Sequence, residues 1–155
     1  MELETIQKAA SSLTVGRLEL ARMDVLPREI RPVDEPDAYC VQGALHTLLS
    51  DAGLGSVCGY KIGCTTPVMQ RFLDINNPCA GAIFDSTIHE LSGSFKFDKL
   101  LHPGVECEIA IRLKSDISPT DAPHNKQSVA SAVGSVMAAI EIVDDRWVDY
   151  TSVDT

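Results

Sequence analysis

Three glutamates lie in two apolar segments of the chain. Glu106 and Glu108 belong to the segment at 104–111 (GVECEIAI), and Glu141 belongs to the segment at 139–143 (AIEIV). Glutamate is rarely buried among apolar residues unless its charge is compensated. A bound divalent cation would compensate it, and an all-oxygen ligand set favours Mg²⁺, Mn²⁺ or Ca²⁺ over Zn²⁺. The three residues therefore predict a metal site.

Both segments have the composition of β-strands, in which side chains alternate between two faces. Glu106 and Glu108 then share one face, and Glu141 joins them if its strand is a near neighbour. Two carboxylates about 4 Å apart repel by about 1 kcal/mol in water and about 4 kcal/mol at an effective dielectric of 20. The alternative is a solvated strand face without a metal. The opposite face is apolar and is expected to meet the core; it carries Val105, Cys107, Ile109, Ile111 and Leu113.

A lysine lies between two glycines in a third segment, at 57–63 (VCGYKIG). Glycine weakens a strand, so Gly59 and Gly63 on the face of Lys61 indicate close approach by a ligand or by another backbone. Lys61 could hold a substrate carboxylate or stabilise an enolate, or it could be a solvated lysine that protects an edge strand. Thr66 with Pro67 predicts the start of a short helix, whose free N–H groups offer a second anion site.

The composition excludes several classes of function. The chain has 155 residues, of which 45% are hydrophobic and 23% charged, as in ordinary globular domains. Its net charge of −9 argues against binding to nucleic acid and gives no support for adhesion to an anionic membrane. The sequence shows neither a long apolar run for a membrane span nor a signal-peptide core at its start.

The cysteines and histidines do not follow zinc-site spacing. There are five cysteines and four histidines, and the cysteines form no Cys-x-x-Cys pair. Reduced thiols in a cytoplasmic protein are the simplest interpretation. Cys79 could be a nucleophile, but with no histidine near it in sequence, a small packed thiol is favoured.

Hydrophobic periodicity predicts helices in the first part of the chain and strands in the second. One or two helices are expected over 3–23, and further helices over 38–49, 67–73 and 127–136. Strands are expected over 57–63, 81–84, 105–113 and 137–143. This order indicates an α+β fold with a mixed or antiparallel sheet. The predicted organisation is an N-terminal helical region at 1–55 and a β-rich domain at 56–155.

Four blocks of sequence follow one another along the chain: 59–67 (GYKIGCTTP), 78–84 (PCAGAIF), 103–110 (PGVECEIA) and 139–146 (AIEIVDDR). In this order they resemble blocks of the 2-keto-4-pentenoate hydratase family within the fumarylacetoacetate hydrolase superfamily. The resemblance extends from about Asp37 to Tyr150, and the chain ends before the further strands and the glycine-rich segment that such proteins carry, as a C-terminally truncated form would.

The resemblance implies a fumarylacetoacetate-hydrolase-like domain, incomplete at its C-terminus, with defined site residues. Glu106, Glu108 and Glu141 would bind Mg²⁺ or Mn²⁺, and Lys61 would be catalytic. Thr66 and Gly81 would bind substrate. Cys79 departs from the family pattern, because hydratases of this kind often carry an acidic residue there.

The implied function is a metal-dependent hydratase that adds water to a 2-hydroxy-2,4-dienoate or 2-keto-enoate during degradation of aromatic compounds. A 2-oxo-3-enoate decarboxylase and an acylpyruvate-type C–C hydrolase of the same superfamily remain alternatives. A further alternative is an inactive short homologue that acts as an association partner. The expected partners are a small 2-keto acid and other copies of the chain, with neither nucleic acid nor membrane.

Overall fold

The computed structural model describes residues 1–149, which form two compact units. The first unit comprises Met1–Leu101 and residues 145–149, and the second comprises His102–Asp144. Tyr150, where the resemblance ends, and the last residues of the predicted 56–155 domain lie outside the described part. The division at residue 55 stays a prediction.

Two helices form the core of the first unit: α1 (Leu3–Leu18) and α2 (Glu35–Leu49). The Asp34 side chain caps α2 by accepting a hydrogen bond of 2.9 Å from the backbone N–H of Asp37. The helices meet through the buried residues Ala9, Ala10 and Val41. The two alanines take little space, so the helices can approach closely. The helix predicted to reach residue 23 ends at Leu18, and Leu20 has a positive φ of 51°.

A two-stranded antiparallel sheet completes the first unit. Its strands are β1 (Val57–Gly63) and β2 (Cys79–Phe84), with the short helix α3 (Pro67–Phe72) between them. As predicted, Thr66 is the N-cap of α3, and its hydroxyl accepts a hydrogen bond of 3.3 Å from the Met69 N–H.

The second unit is an antiparallel pair of long strands, β3 (Pro103–Leu113) and β4 (Val133–Asp144). The helix α4 (Lys126–Ala132) lies in the connection between them. Asn125 and Ser128 start α4 with a capping box, in which each side chain bonds the backbone of the other residue.

The helix predicted over 127–136 is wrong at its C-terminal end, because residues 133–136 belong to β4. Val133 pairs with Leu113, and the Lys114 N–H donates to the Ala132 carbonyl at 2.8 Å. Gly134 and the β-branched Val133 and Val136 are poor helix formers. Residues 133–136 therefore pair with β3 as a strand, although their hydrophobic periodicity predicts a helix.

The expectation that the apolar face of β3 meets the core is also wrong. Val105 and Ile109 of β3 are 69% and 75% exposed, and Ile140 of β4 is 71% exposed. A two-stranded ladder needs a second layer to bury one of its faces, and the second unit supplies no such layer for these side chains.

The α+β class with antiparallel sheets is confirmed by both units. Within residues 1–149, no helix has the length and apolar character that membrane spanning requires.

Candidate metal centre

The register of β3 and β4 positions the three glutamates. Glu106 lies directly opposite Glu141, and Glu108 lies opposite Ala139. Since residues two apart in a strand share a face, Glu108 projects on the same side as the Glu106–Glu141 pair. Ala139, the cross-strand partner of Glu108, adds no charge to this face.

The three carboxylates converge. One oxygen from each of Glu106, Glu108 and Glu141 can be chosen so that all three atoms lie within 4.8 Å of one another. Glu106 is exposed, whereas Glu108 and Glu141 are half-buried. Three carboxylate oxygens at this spacing fit a hard divalent cation, since such ions prefer oxygen ligands. Their role as metal ligands stays a prediction.

Lys61 lies on the half-buried face of β1, together with Val57, Gly59 and Gly63. The other face carries the exposed side chains of Tyr60 and Ile62, which are 72% and 55% exposed. The lysine is therefore on the less solvated side of its strand.

Gly81 lies directly opposite Lys61 in the β1–β2 ladder. A Cβ atom built on Gly81 would meet no atom within 4 Å. The absence of a side chain thus leaves open space beside Lys61, into which a ligand could fit. Thr66 caps α3 with its hydroxyl, and its role in substrate binding stays a prediction.

A cleft that the sequence analysis missed lies beside β2, with a volume of ≈ 420 Å³ and with Tyr39, Gln42 and Cys79 in its lining. The Ala80 N–H donates to the Tyr39 hydroxyl at 3.0 Å, and the Gln42 amide donates to the Ala80 carbonyl at 2.9 Å. These two residues hold the start of β2 against α2. Tyr39 and Gln42 are three residues apart, which places them on one face of α2. This spacing is the feature of the sequence that could have indicated the pair.

The chain is similar in sequence to several known proteins. A 2-keto-4-pentenoate hydratase of Burkholderia vietnamiensis is 35% identical over 113 residues, which are 73% of this chain and 42% of the relative. A 2-keto-4-pentenoate hydratase of Paraburkholderia phymatum is 34% identical over 135 residues, 84% of this chain and 49% of the relative. The chain is a relative of the 2-keto-4-pentenoate hydratases. No family model matches it.

The fold predicted for this chain from its sequence is also found among solved structures. The 4-oxalocrotonate decarboxylase of Pseudomonas putida G7, solved with magnesium and adipate, matches 97% of the chain with a TM-score of 0.84 at 21% identity. A structure of the same decarboxylase with calcium and acetate gives the same TM-score at 22% identity. The match spans 56% of the magnesium-bound decarboxylase chain. The chain also spans less than half the length of the two curated hydratases.

Proposed function

We propose that this chain acts as a divalent-metal-dependent hydratase, a lyase that adds water to a 2-hydroxy-2,4-dienoate or a related 2-keto-enoate in the degradation of aromatic compounds. The observation that carries the proposal is the convergence of Glu106, Glu108 and Glu141 on one face of the β3–β4 ladder. Relatives named as hydratases of such substrates support it.

The three glutamates would hold Mg²⁺ or Mn²⁺. When bound, the ion supplies positive charge that polarises the carboxylate and C2 oxygen of the substrate. Ligation by these glutamates would hold the ion on this face of the ladder and leave it accessible to oxygens of the substrate.

Lys61 would provide a second positive charge. A lysine on a partly desolvated strand face stabilises a carboxylate or enolate more strongly than one in bulk water, since the local dielectric is lower. The open space at Gly81, the register partner of Lys61, would admit a ligand next to this lysine. Water adds at C4 of the conjugated 2-keto-3-enoate, after proton transfer has converted the dienol to it.

A 2-oxo-3-enoate decarboxylase is a second candidate. It is favoured by the structural likeness to 4-oxalocrotonate decarboxylase and by a decarboxylase relative in Pseudomonas putida that is 25% identical. The same glutamates would hold the ion in either reaction. The two candidates differ in the substrate tail and in the product, carbon dioxide or a hydrated acid.

A third candidate is association without catalysis. The observation that favours it is the exposed apolar face of β3 and β4, defined by Val105, Ile109, Ile111, Val136 and Ile140. Exposed apolar patches of this kind are typical of protein contact surfaces. The partner would be a second copy of the chain or a longer relative. Homo-oligomer formation and a cytoplasmic location stay predictions.

The deciding experiment measures turnover of 2-hydroxypenta-2,4-dienoate by the full chain with Mg²⁺, with Mn²⁺ and with a chelator. Hydration removes the conjugation, so ultraviolet absorbance falls. We expect metal-dependent turnover that Glu108→Ala abolishes and that Glu29→Ala, at an exposed glutamate outside the site, preserves. Intact metal binding without turnover would favour association. Release of carbon dioxide from 2-oxo-3-enoates would favour the decarboxylase.

A further inference from the structure

The thiols of Cys64 and Cys79 lie close together at the end of the β1–β2 ladder. Their sulfur atoms are 3.7 Å apart, although the residues are 15 positions apart in sequence. Gly63 is the register partner of Cys79, and Cys64 is the next residue after β1. Cys64 has a positive φ of 55°, which is uncommon for a residue other than glycine.

This pair differs from the other three cysteines. Cys64 and Cys79 are both half-buried, whereas Cys40, Cys58 and Cys107 are exposed. Cys79 also lines the cleft beside β2, so a small reagent can come close to this residue. The two sulfur atoms thus lie close together, and one of the two cysteines is accessible from the cleft.

We propose that Cys64 and Cys79 form a reversible intramolecular disulfide, and that this dithiol is a redox modification site of the protein. The sulfurs need to move about 1.7 Å closer to reach the roughly 2.0 Å of a disulfide bond. Rotation of the two side chains and a small shift of the residues that follow β1 can supply this movement. The proposal does not depend on the proposed hydratase activity.

The oxidant is a low-molecular-weight disulfide such as oxidised glutathione. The Cys79 thiolate attacks one sulfur of the reagent, so that a mixed disulfide forms and one glutathione thiolate leaves. The Cys64 thiolate then attacks the Cys79 sulfur and displaces the second glutathione thiolate. Two cysteine thiols lose two electrons, one glutathione disulfide gains them, and the two protons pass to the released thiolates.

The disulfide would close a loop over residues 64–79, which contains α3 and its N-cap Thr66. Crosslinks of this kind limit the freedom of the unfolded chain. Oxidation should therefore raise the thermal unfolding temperature of the first unit by several degrees. It would also tie the C-terminal end of β1, which carries Lys61, to the start of β2.

Peptide mapping tests the proposal on the full chain. The protein is equilibrated in glutathione buffers of increasing oxidation, blocked with N-ethylmaleimide and digested with trypsin. Cleavage after Lys61, Arg71 and Lys96 separates the two cysteines into the peptides 62–71 and 72–96, each with one cysteine. We expect these two peptides to appear as a disulfide-linked pair. Two of the five thiols should be lost on oxidation and regained on reduction.

Three controls make the result decisive. Cys64→Ser should abolish the linked pair, and Cys58→Ser should leave it unchanged. Unfolding in denaturant before oxidation should reduce its yield at least tenfold, because the link depends on native proximity. Stable glutathionylation of Cys79 without linkage, linkage to another cysteine, or equal yield from unfolded protein would each overturn the proposal, and the parent chain alone suffices to detect all three.

Discussion

Glu106 faces Glu141 directly across the β3–β4 ladder. Like charges at opposing positions of an antiparallel pair destabilise it by up to about 1 kcal/mol. Glu108 adds a third carboxylate within 4.8 Å. The stability of the second unit should therefore depend on what neutralises this face.

Glu141→Gln should change stability in opposite directions with and without a divalent cation. With a chelator, the variant should be as stable as the parent or up to about 1 kcal/mol more stable, because repulsion between carboxylates is relieved. With millimolar Mg²⁺, the parent should gain thermal stability and the variant should not. Thermal unfolding with and without Mg²⁺ measures both effects.

Glu29→Gln serves as the control for Glu141→Gln, since it removes one exposed carboxylate outside the site. It should keep the full Mg²⁺-dependent stabilisation. A parent protein whose unfolding temperature does not respond to Mg²⁺ or Mn²⁺ would contradict the metal site.

Lys61→Ala should lower turnover by at least tenfold and leave the Mg²⁺-dependent stabilisation intact. The lysine is expected to act on the negative charge of the substrate and not to bind the ion. Steady-state kinetics and metal titration, carried out on the same preparation, separate the two effects. Equal loss of metal binding and turnover would show that the assigned role is wrong.

Gly81→Val should reduce activity without reducing stability. A side chain at position 81 meets no atom within 4 Å, so the fold can accept it, but it fills the space opposite Lys61. We expect a several-fold rise in KM and an unfolding temperature within about 2 °C of the parent. Ala82→Val, at the next position and on the other face of β2, is the matched control and should preserve KM.

Ile109→Lys should weaken self-association. Ile109 is 75% exposed at the centre of the apolar face of the second unit, and a charge there opposes burial against another copy. Light scattering after size exclusion should show a lower mass than for the parent. Leu91→Lys, at a fully exposed leucine in a loop, should leave the mass unchanged, and an unaltered mass in both variants would argue against this face as the contact surface.

His46 should make the first unit less stable as the solution becomes acidic. Burial lowers the pKa of His46, and the positive charge of Arg17 lowers it further. The unfolded chain then binds the proton more readily than the folded chain does. The stability that His46 contributes is fully present above its pKa in the unfolded chain, near 6.5. It is lost as the pH falls toward the lower pKa of His46 in the folded chain.

Urea unfolding between pH 7.5 and 5 measures this effect of His46. His46→Gln should show a smaller loss of stability over that range than the parent. His124→Gln, at an exposed histidine, should follow the parent curve. Parallel curves for parent and His46→Gln would refute the prediction.

The local signals in the sequence predicted most of the elements. Thr66 followed by Pro67 indicates the start of a helix, and Thr66 lies at the N-cap that the structure shows. The alternation of Glu106 and Glu108 with apolar residues defined β3 and its two faces. Such signals act over a few residues and do not depend on distant contacts.

The predictions that were wrong or missing concern features that depend on interactions between residues far apart in sequence. Pairing of Val133 with Leu113 converts the end of a predicted helix into strand, and no local pattern reports that partner. The proximity of Cys64 to Cys79 depends on the β1–β2 register, which the sequence analysis did not assign. The exposure of Ile109 depends on which layers are present, and hydrophobicity alone does not reveal this.

The alternation of acidic and apolar side chains along β3 also limits how this protein can change in length during evolution. Loss or gain of one residue inside the strand would exchange the two faces beyond that point and move carboxylates to the side now occupied by isoleucines. Insertions in the connecting segment at 114–132 leave both strands in phase. Length variation among similar chains should therefore be concentrated in that connection.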